Sequence, residues 1–237
     1  MEIGTKHPSP ANGRRDVLRI VIFSNGSFDH PSMDRQKIEP DDLIIAADGG
    51  LHHCLVLGLE PDLLVGDLDS VEEDLIADLR SRGVEIHEHP PRKDHTDLEL
   101  ALEVATRRDP DEILILGGLG GRWDQTLANI LLLSQDRFRG PRIKLLDGLQ
   151  QIELITSGQT VEIHGVPGTV VSLIPIHGTT RGITTKGLEY ELIDGTLEYG
   201  VTRGVSNVLN SNSASVSVAE GLLVCVTVDA GYESLDA

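Results

Sequence analysis

Positive charge is scarce in this chain. Its 237 residues carry 20 Lys and Arg against 38 Asp and Glu, a formal net charge of −18. No run of Lys or Arg interrupts that balance. Nucleic acid and anionic membrane surfaces are thereby excluded as main partners, because both require a clustered basic face. Long apolar runs are missing too. No stretch approaches the roughly 20 residues of a membrane span, and the N-terminus lacks the charged head and apolar run of a secretory signal, so a cytoplasmic protein is expected. Cysteine is limited to Cys54 and Cys225. They match no close-set metal spacing and read as two buried thiols without a role. The 39% hydrophobic content is nevertheless enough for a core in one large domain or two small ones, which excludes a disordered acidic tail as the main reading.

What is present is unevenly placed. Of the acidic residues, 29 fall in the first 158 positions and 9 in the last 79, where 12 Val and 9 Thr accumulate. That shift marks two domains, with a polar stretch at 1–16 expected as a loose tail. From Val17, short apolar runs alternate with helical periods. Val17 to Phe23, Leu43 to Ala47, Leu63 to Val65, Val84 to Ile86, Ile113 to Leu116 and Ile143 to Leu146 read as strands. Leu98, Ala101, Leu102 and Ala105 have the i, i+3, i+4, i+7 spacing of a helix. Continuously apolar strands alternating with helices imply an α/β domain over 17–150, a mostly parallel sheet covered on both faces. Ser70 with Glu73, and Thr96 with Glu99, read as capping boxes opening two helices. From about Gln159 the period becomes two, as in Thr160-Val161-Glu162-Ile163, and 151–237 reads as a small antiparallel sandwich or barrel.

The aspartates give this scheme its chemistry. Asp48 follows the second strand within Asp48-Gly49-Gly50, and Asp67 and Asp69 follow the third within Gly66-Asp67-Leu68-Asp69-Ser70. Asp94 and Asp97 flank the Thr96 cap, and Asp124 lies just past Gly117-Gly118-Leu119-Gly120-Gly121-Arg122. Carboxyl ends of parallel strands share one edge, where ligands bind. Carboxylates gathered there repel one another unless a cation neutralises them. Mg²⁺, taking one or two carboxylates together with phosphate oxygens, is the usual solution, and it makes phosphoryl-type transfer the natural reaction class. The glycine-rich turn before Arg122 offers backbone N–H groups to a phosphate, although it matches neither the GxxxxGK[ST] nor the GxGxxG pattern. Lys93 offers a point charge. The five histidines between His52 and His95 form no clean metal set.

Taken in order, these motifs resemble the thiamine pyrophosphokinase family. They are Asp48-Gly49-Gly50, Gly58-Leu59-Glu60-Pro61-Asp62, Gly66-Asp67-Leu68-Asp69-Ser70, Lys93-Asp94-His95-Thr96-Asp97-Leu98-Glu99 and Gly120-Gly121-Arg122-Trp123-Asp124, extended by Gly187-Leu188-Glu189-Tyr190 and Gly204-Val205-Ser206-Asn207. The resemblance covers about residues 18 to 228. It implies an α/β/α sandwich followed by a β-sandwich that binds thiamine and dimerises. It also implies transfer of a pyrophosphoryl group from ATP to thiamine with Mg²⁺, in a homodimer whose sites lie between subunits. Carried over to this chain, Asp67 and Asp69 are metal ligands helped by Asp48 and Asp97. Lys93 and Arg122 hold phosphates, and Thr96, Asp94 and Asp124 order the metal and substrate shell. Asp94 or Asp97 takes the hydroxyl proton, Ser206 and Asn207 meet thiamine, and Tyr190 offers an aromatic face. Gln125 and Trp123 depart from the family's usual histidine and leucine. Two other readings use the same residues: a metal-dependent phosphohydrolase, and a thiamine or nucleotide sensor without catalysis.

Overall fold

The computed structural model describes residues 17–91 and 94–231. The expected tail at 1–16 and Lys93 lie outside the described residues. In chain order the elements are β1 (Arg19–Phe23), α1 (Pro31–Arg35), β2 (Leu43–Ala47), α2 (Gly50–Val56), β3 (Leu63–Gly66), α3 (Glu73–Arg82), β4 (Glu85–Glu88), α4 (Asp97–Thr106), β5 (Glu112–Leu116) and α5 (Trp123–Leu132). The strands β6 (Arg142–Asp147), β7 (Gln150–Thr156), β8 (Thr160–His164), β9 (Val170–Pro175), β10 (Thr180–Lys186), β11 (Gly195–Leu197), β12 (Asn207–Val208), β13 (Ser213–Ser217) and β14 (Leu222–Val228) follow.

Six parallel strands stand in the order β6-β5-β1-β2-β3-β4. Alternate side chains of β1, β2, β3 and β5 enter two separate cores, which is why these strands read as continuously apolar. Ile20, Ile22, Ile113 and Ile115 pack with α4 and the end of α5. Val21, Phe23, Leu114 and Leu116 pack with Leu51 and Cys54 of α2 and Leu79 of α3. The fold is therefore the expected mixed α/β architecture with an antiparallel β half. The sheet does not stop at the composition shift, however. β7 pairs antiparallel with β6 through the turn at 148–149, and β14, β9 and β12 continue outward to make ten strands. A second sheet, β11-β10-β13-β8, covers that extension. Ile155, Val171, Leu173, Leu223 and Cys225 of the long sheet meet Ile163, Ile183, Leu197, Ala214 and Val216 of the short one.

One of the two expected caps forms and one does not. Thr96 Oγ1 accepts the Glu99 N–H at 3.2 Å and opens α4. At α3 the capping residue is Glu72, without a side-chain cap. Ser70 lies two residues too early, and its hydroxyl donates instead to Asp48 Oδ2 at 2.7 Å. Both thiols are free and buried, and burial pushes the Cys225 thiol up to about 12 and that of Cys54 higher still. Among the described residues no helix is long and apolar enough to cross a membrane.

Candidate active site

The chain runs from β1 to β2 on one side and from β5 to β6 on the other. The crevice between the carboxyl ends of β1 and β5 is therefore a topological switch point, where open α/β sheets bind ligands. A cavity lies there, lined by Ser24 to Gly26 after β1, Asp48 after β2, Thr96 and Asp97 at the start of α4, the glycines after β5, and Gln125 and Asn129 on α5.

Backbone geometry places the carboxylates beside it. Asp48 adopts φ +46° where β2 turns into α2, and its N–H donates to Val65 O at 2.8 Å. Gly66 has φ +157°, and a Cβ there would stand 2.9 Å from Asp48 Cβ, so only glycine lets the end of β3 approach Asp48 this closely. Leu68, at φ +61°, turns into the core beside α2 and α3. That inward turn leaves Asp67 half-buried and Asp69 exposed on either side of it.

One oxygen from each of Asp48, Asp67 and Asp69 lies within 4.8 Å of the other two. The charge of Asp67, then lost hydration and the charges of Asp48 and Asp97, hold the Asp69 carboxyl above its ordinary range. Asp48 is 8% exposed, and its Oδ1 is buried without a hydrogen-bond partner. An unsatisfied buried oxygen of this kind costs roughly 1–3 kcal/mol, more for a charged group, and three crowded carboxylates add repulsion. A hard divalent cation removes both penalties, so this donor set fits Mg²⁺.

The other expected residues are distributed differently. Asp97 opens α4 close enough to act on Asp69, and Thr96 both caps the helix and lines the cavity. Asp94 is exposed, two residues before the cap. Arg122 and Asp124 are exposed and hold each other, with Arg122 Nε donating to Asp124 Oδ1 at 3.1 Å. This pairing depresses the Asp124 carboxyl and raises the guanidinium. Ser70, Asn25, Gln125 and Asn129 were absent from the sequence-derived set. The first two follow strand ends, the signal used for the aspartates. The other two are i, i+4 neighbours on α5, and Asn129 Nδ2 donates to Gly118 O at 2.7 Å.

Tyr190, Ser206 and Asn207 form a separate group. Asn207 Oδ1 accepts the Tyr190 N–H at 3.0 Å and its Nδ2 donates to Tyr190 O at 2.7 Å, while Ser206 at φ +61° donates its N–H to Ser172 Oγ. Beside them is a second cavity that includes Glu189, Tyr190, Glu191 and Asn207 together with Arg203; its two carboxylates and aromatic face offer partners for an organic cation. Asn207 belongs to β12 at one end of the long sheet, whereas Asp48 follows β2, seven strand positions away. At about 4.8 Å per strand that is roughly 34 Å along the sheet.

Comparison with known proteins gives two family matches. Residues 35–145 match the thiamin pyrophosphokinase catalytic domain and residues 158–223 the thiamin pyrophosphokinase vitamin B1 binding domain. A thiamine pyrophosphokinase of Bacillus subtilis is 31% identical over 184 residues, spanning 78% of this chain and 86% of its own. Thiamine pyrophosphokinase 1 of rice, Oryza sativa subsp. japonica, is 26% identical over 94% of this chain and 91% of its own. The crystal structure of a Bacillus subtilis thiamine pyrophosphokinase superposes with a TM-score of 0.79 at 28% identity, covering 89% of this chain and 99% of that one.

Proposed function

The chain belongs to the thiamine pyrophosphokinase family, and from that premise we propose that it transfers the pyrophosphoryl group of ATP to the thiamine hydroxyl, giving thiamine diphosphate and AMP. The observation that carries the reading is the Asp48, Asp67 and Asp69 cluster, with its orphaned buried oxygen, beside a glycine-lined cavity at the switch point. These three residues, with Asp97 near, would hold Mg²⁺. When bound, the ion supplies positive charge against the triphosphate oxygens.

The chain's own groups do the positioning. Backbone N–H groups of the glycine-rich loop after β5 line the triphosphate's path, and Arg122, once released from Asp124, adds a cation. The thiamine hydroxyl attacks the β-phosphorus in line and the α-phosphate oxygen leaves with AMP, most of the acceleration coming from orientation. Asp97 lines the cavity and is the better placed of the two candidate carboxylates to take the hydroxyl proton; Asp94 stands exposed outside the lining.

Thiamine, a cation, suits the Tyr190, Glu189 and Glu191 wall. One chain holds that wall too far from Asp69 for a single thiamine to touch both, which supports a homodimer with each site shared between subunits. Exposed apolar residues favour the same arrangement. Trp123, Leu127 and Leu131 form an i, i+4, i+8 stripe on α5, and Tyr190, Ile193 and Tyr199 are likewise exposed. We place the enzyme in the cytoplasm, in keeping with its free thiols.

The test is incubation with ATP, Mg²⁺ and thiamine, with products separated by chromatography. AMP and thiamine diphosphate are expected in equal amounts. ADP as the nucleotide product, or phosphate release without thiamine, overturns the reading.

A further inference from the structure

Of the two loops that line the switch-point cavity after β1 and β5, the second is tied to α5 by a side chain, Asn129 Nδ2 donating to Gly118 O at 2.7 Å. The two loops touch backbone to backbone: Ser24 N–H donates to Leu116 O at 2.8 Å, Gly26 N–H to Gly117 O at 2.7 Å and Ser27 N–H to Leu119 O at 3.2 Å. A Cβ on Gly26 would stand 2.4 Å from Gly117 O, and one on Gly117 would stand 2.4 Å from Ser24 O. No bulkier residue fits at either point, so the loop after β1 takes its side-chain anchor from a neighbouring element.

That anchor is His53 on α2. Its Nε2 donates to Gly26 O at 3.0 Å, and a carbonyl acceptor fixes Nε2 as the protonated nitrogen. Its ring stacks on Phe28 with centroids 4.6 Å apart and planes 26° apart, and Phe28 in turn meets Phe23 of β1 edge-on at 6.2 Å. On the other side, His53 Cδ2 leaves only 3.1 Å to a Cβ built at Gly117. The helix that carries His53 begins at Gly50, two residues after Asp48, and Gly50 packs against Phe23 O so tightly that a Cβ would stand 2.0 Å from it. One imidazole therefore touches the loops after β1 and β5 and rides on the element that begins at the Asp48 corner.

We propose that His53 is a positioning residue: it holds the loops 24–28 and 117–121 in register with Asp48, so that the N–H groups of the second loop and the Asn25 side chain face the triphosphate. The proposal rests on the diphosphotransferase reading of this cavity. It assigns His53 no proton transfer and no contact with substrate.

The test compares His53→Ala, His53→Gln and, as a control on the exposed face of α2, His52→Ala. Steady-state kinetics are read with MgATP and thiamine varied separately, and binding of Mg²⁺ with a non-hydrolysable ATP analogue is read by calorimetry. His53→Ala is expected to raise KM for MgATP and weaken analogue binding about tenfold, with KM for thiamine within about twofold of the parent. The Gln side-chain N–H can replace Nε2–H, so His53→Gln should recover most of the loss; His52→Ala should behave as the parent. An unchanged MgATP KM in His53→Ala overturns the proposal. So does a loss shared equally by both substrates and Tm that Gln does not rescue, which would mark a packing role. If the parent shows no thiamine-dependent AMP, the activity reading fails by itself, and the tenfold weakening of analogue binding still decides the role of His53.

Discussion

Asp69 carries its charge at a cost. Its carboxyl binds a proton more tightly in the folded chain than the ordinary value of 3.8 allows, chiefly because Asp67 is beside it. Above that raised value the folded state bears the full repulsion, and as pH falls toward 3.8 the penalty disappears. Asp69→Asn is therefore expected to raise Tm at neutral pH without Mg²⁺, and the gain should shrink in denaturation series run toward pH 4. The same substitution should lower transferase activity by at least about 100-fold, because a ligand is worth more than the outer-shell partners whose loss costs 10–100-fold. Added Mg²⁺ should raise the parent's Tm more than the variant's. A variant both less stable and fully active would remove Asp69 from the metal site.

At the level of elements, Thr96 and Ser70 separate two uses of a hydroxyl. Thr96 caps α4, so Thr96→Ala should cost about 1 kcal/mol in chemical denaturation whether or not Mg²⁺ is present. Ser70 caps nothing, and Ser70→Ala leaves a second oxygen of Asp48 without its donor. Its destabilisation should be largely recovered by saturating Mg²⁺, and its Mg²⁺ requirement should rise. Local pattern could not tell these hydroxyls apart, because Ser70's partner lies 22 residues away in sequence. Wherever a property depended on near neighbours the sequence was legible: Leu43 to Ala47 matches β2 residue for residue, and the Thr96 cap forms as read. The clustering of Asp48, Asp67 and Asp69 was legible too, since three strand-end positions on one parallel edge leave few alternatives. Joining β7 to the parallel sheet was hidden, because Gln150 to Thr156 carries polar residues and pairs across a turn that composition alone reads as a boundary. His53 escaped notice because its work is done by a ring nitrogen on a backbone carbonyl, which leaves no motif.

For the whole molecule, the separation of the two cavities makes the proposed sharing of a site between subunits testable by mixing. Asp67→Asn and Tyr190→Ala chains, each inactive as homodimers, should regain activity when unfolded and refolded together. Half of the randomly paired dimers are mixed and each then has one intact site of two, so about a quarter of the parent's activity is expected. No recovery would place both residue groups in the same subunit's site. The long sheet has one further consequence, concerning how the molecule is made. β14 is the last described strand in sequence, yet it lies between β7 and β9 rather than at an edge. Until residues 222–228 emerge from the ribosome, β7 and β9 face a strand-wide slot with two open backbone ladders, each able to capture a neighbouring chain. Synthesis that stalls before Leu222 thus releases a sticky, half-built sheet, and the segment that closes it acts as a late keystone in the birth of the enzyme.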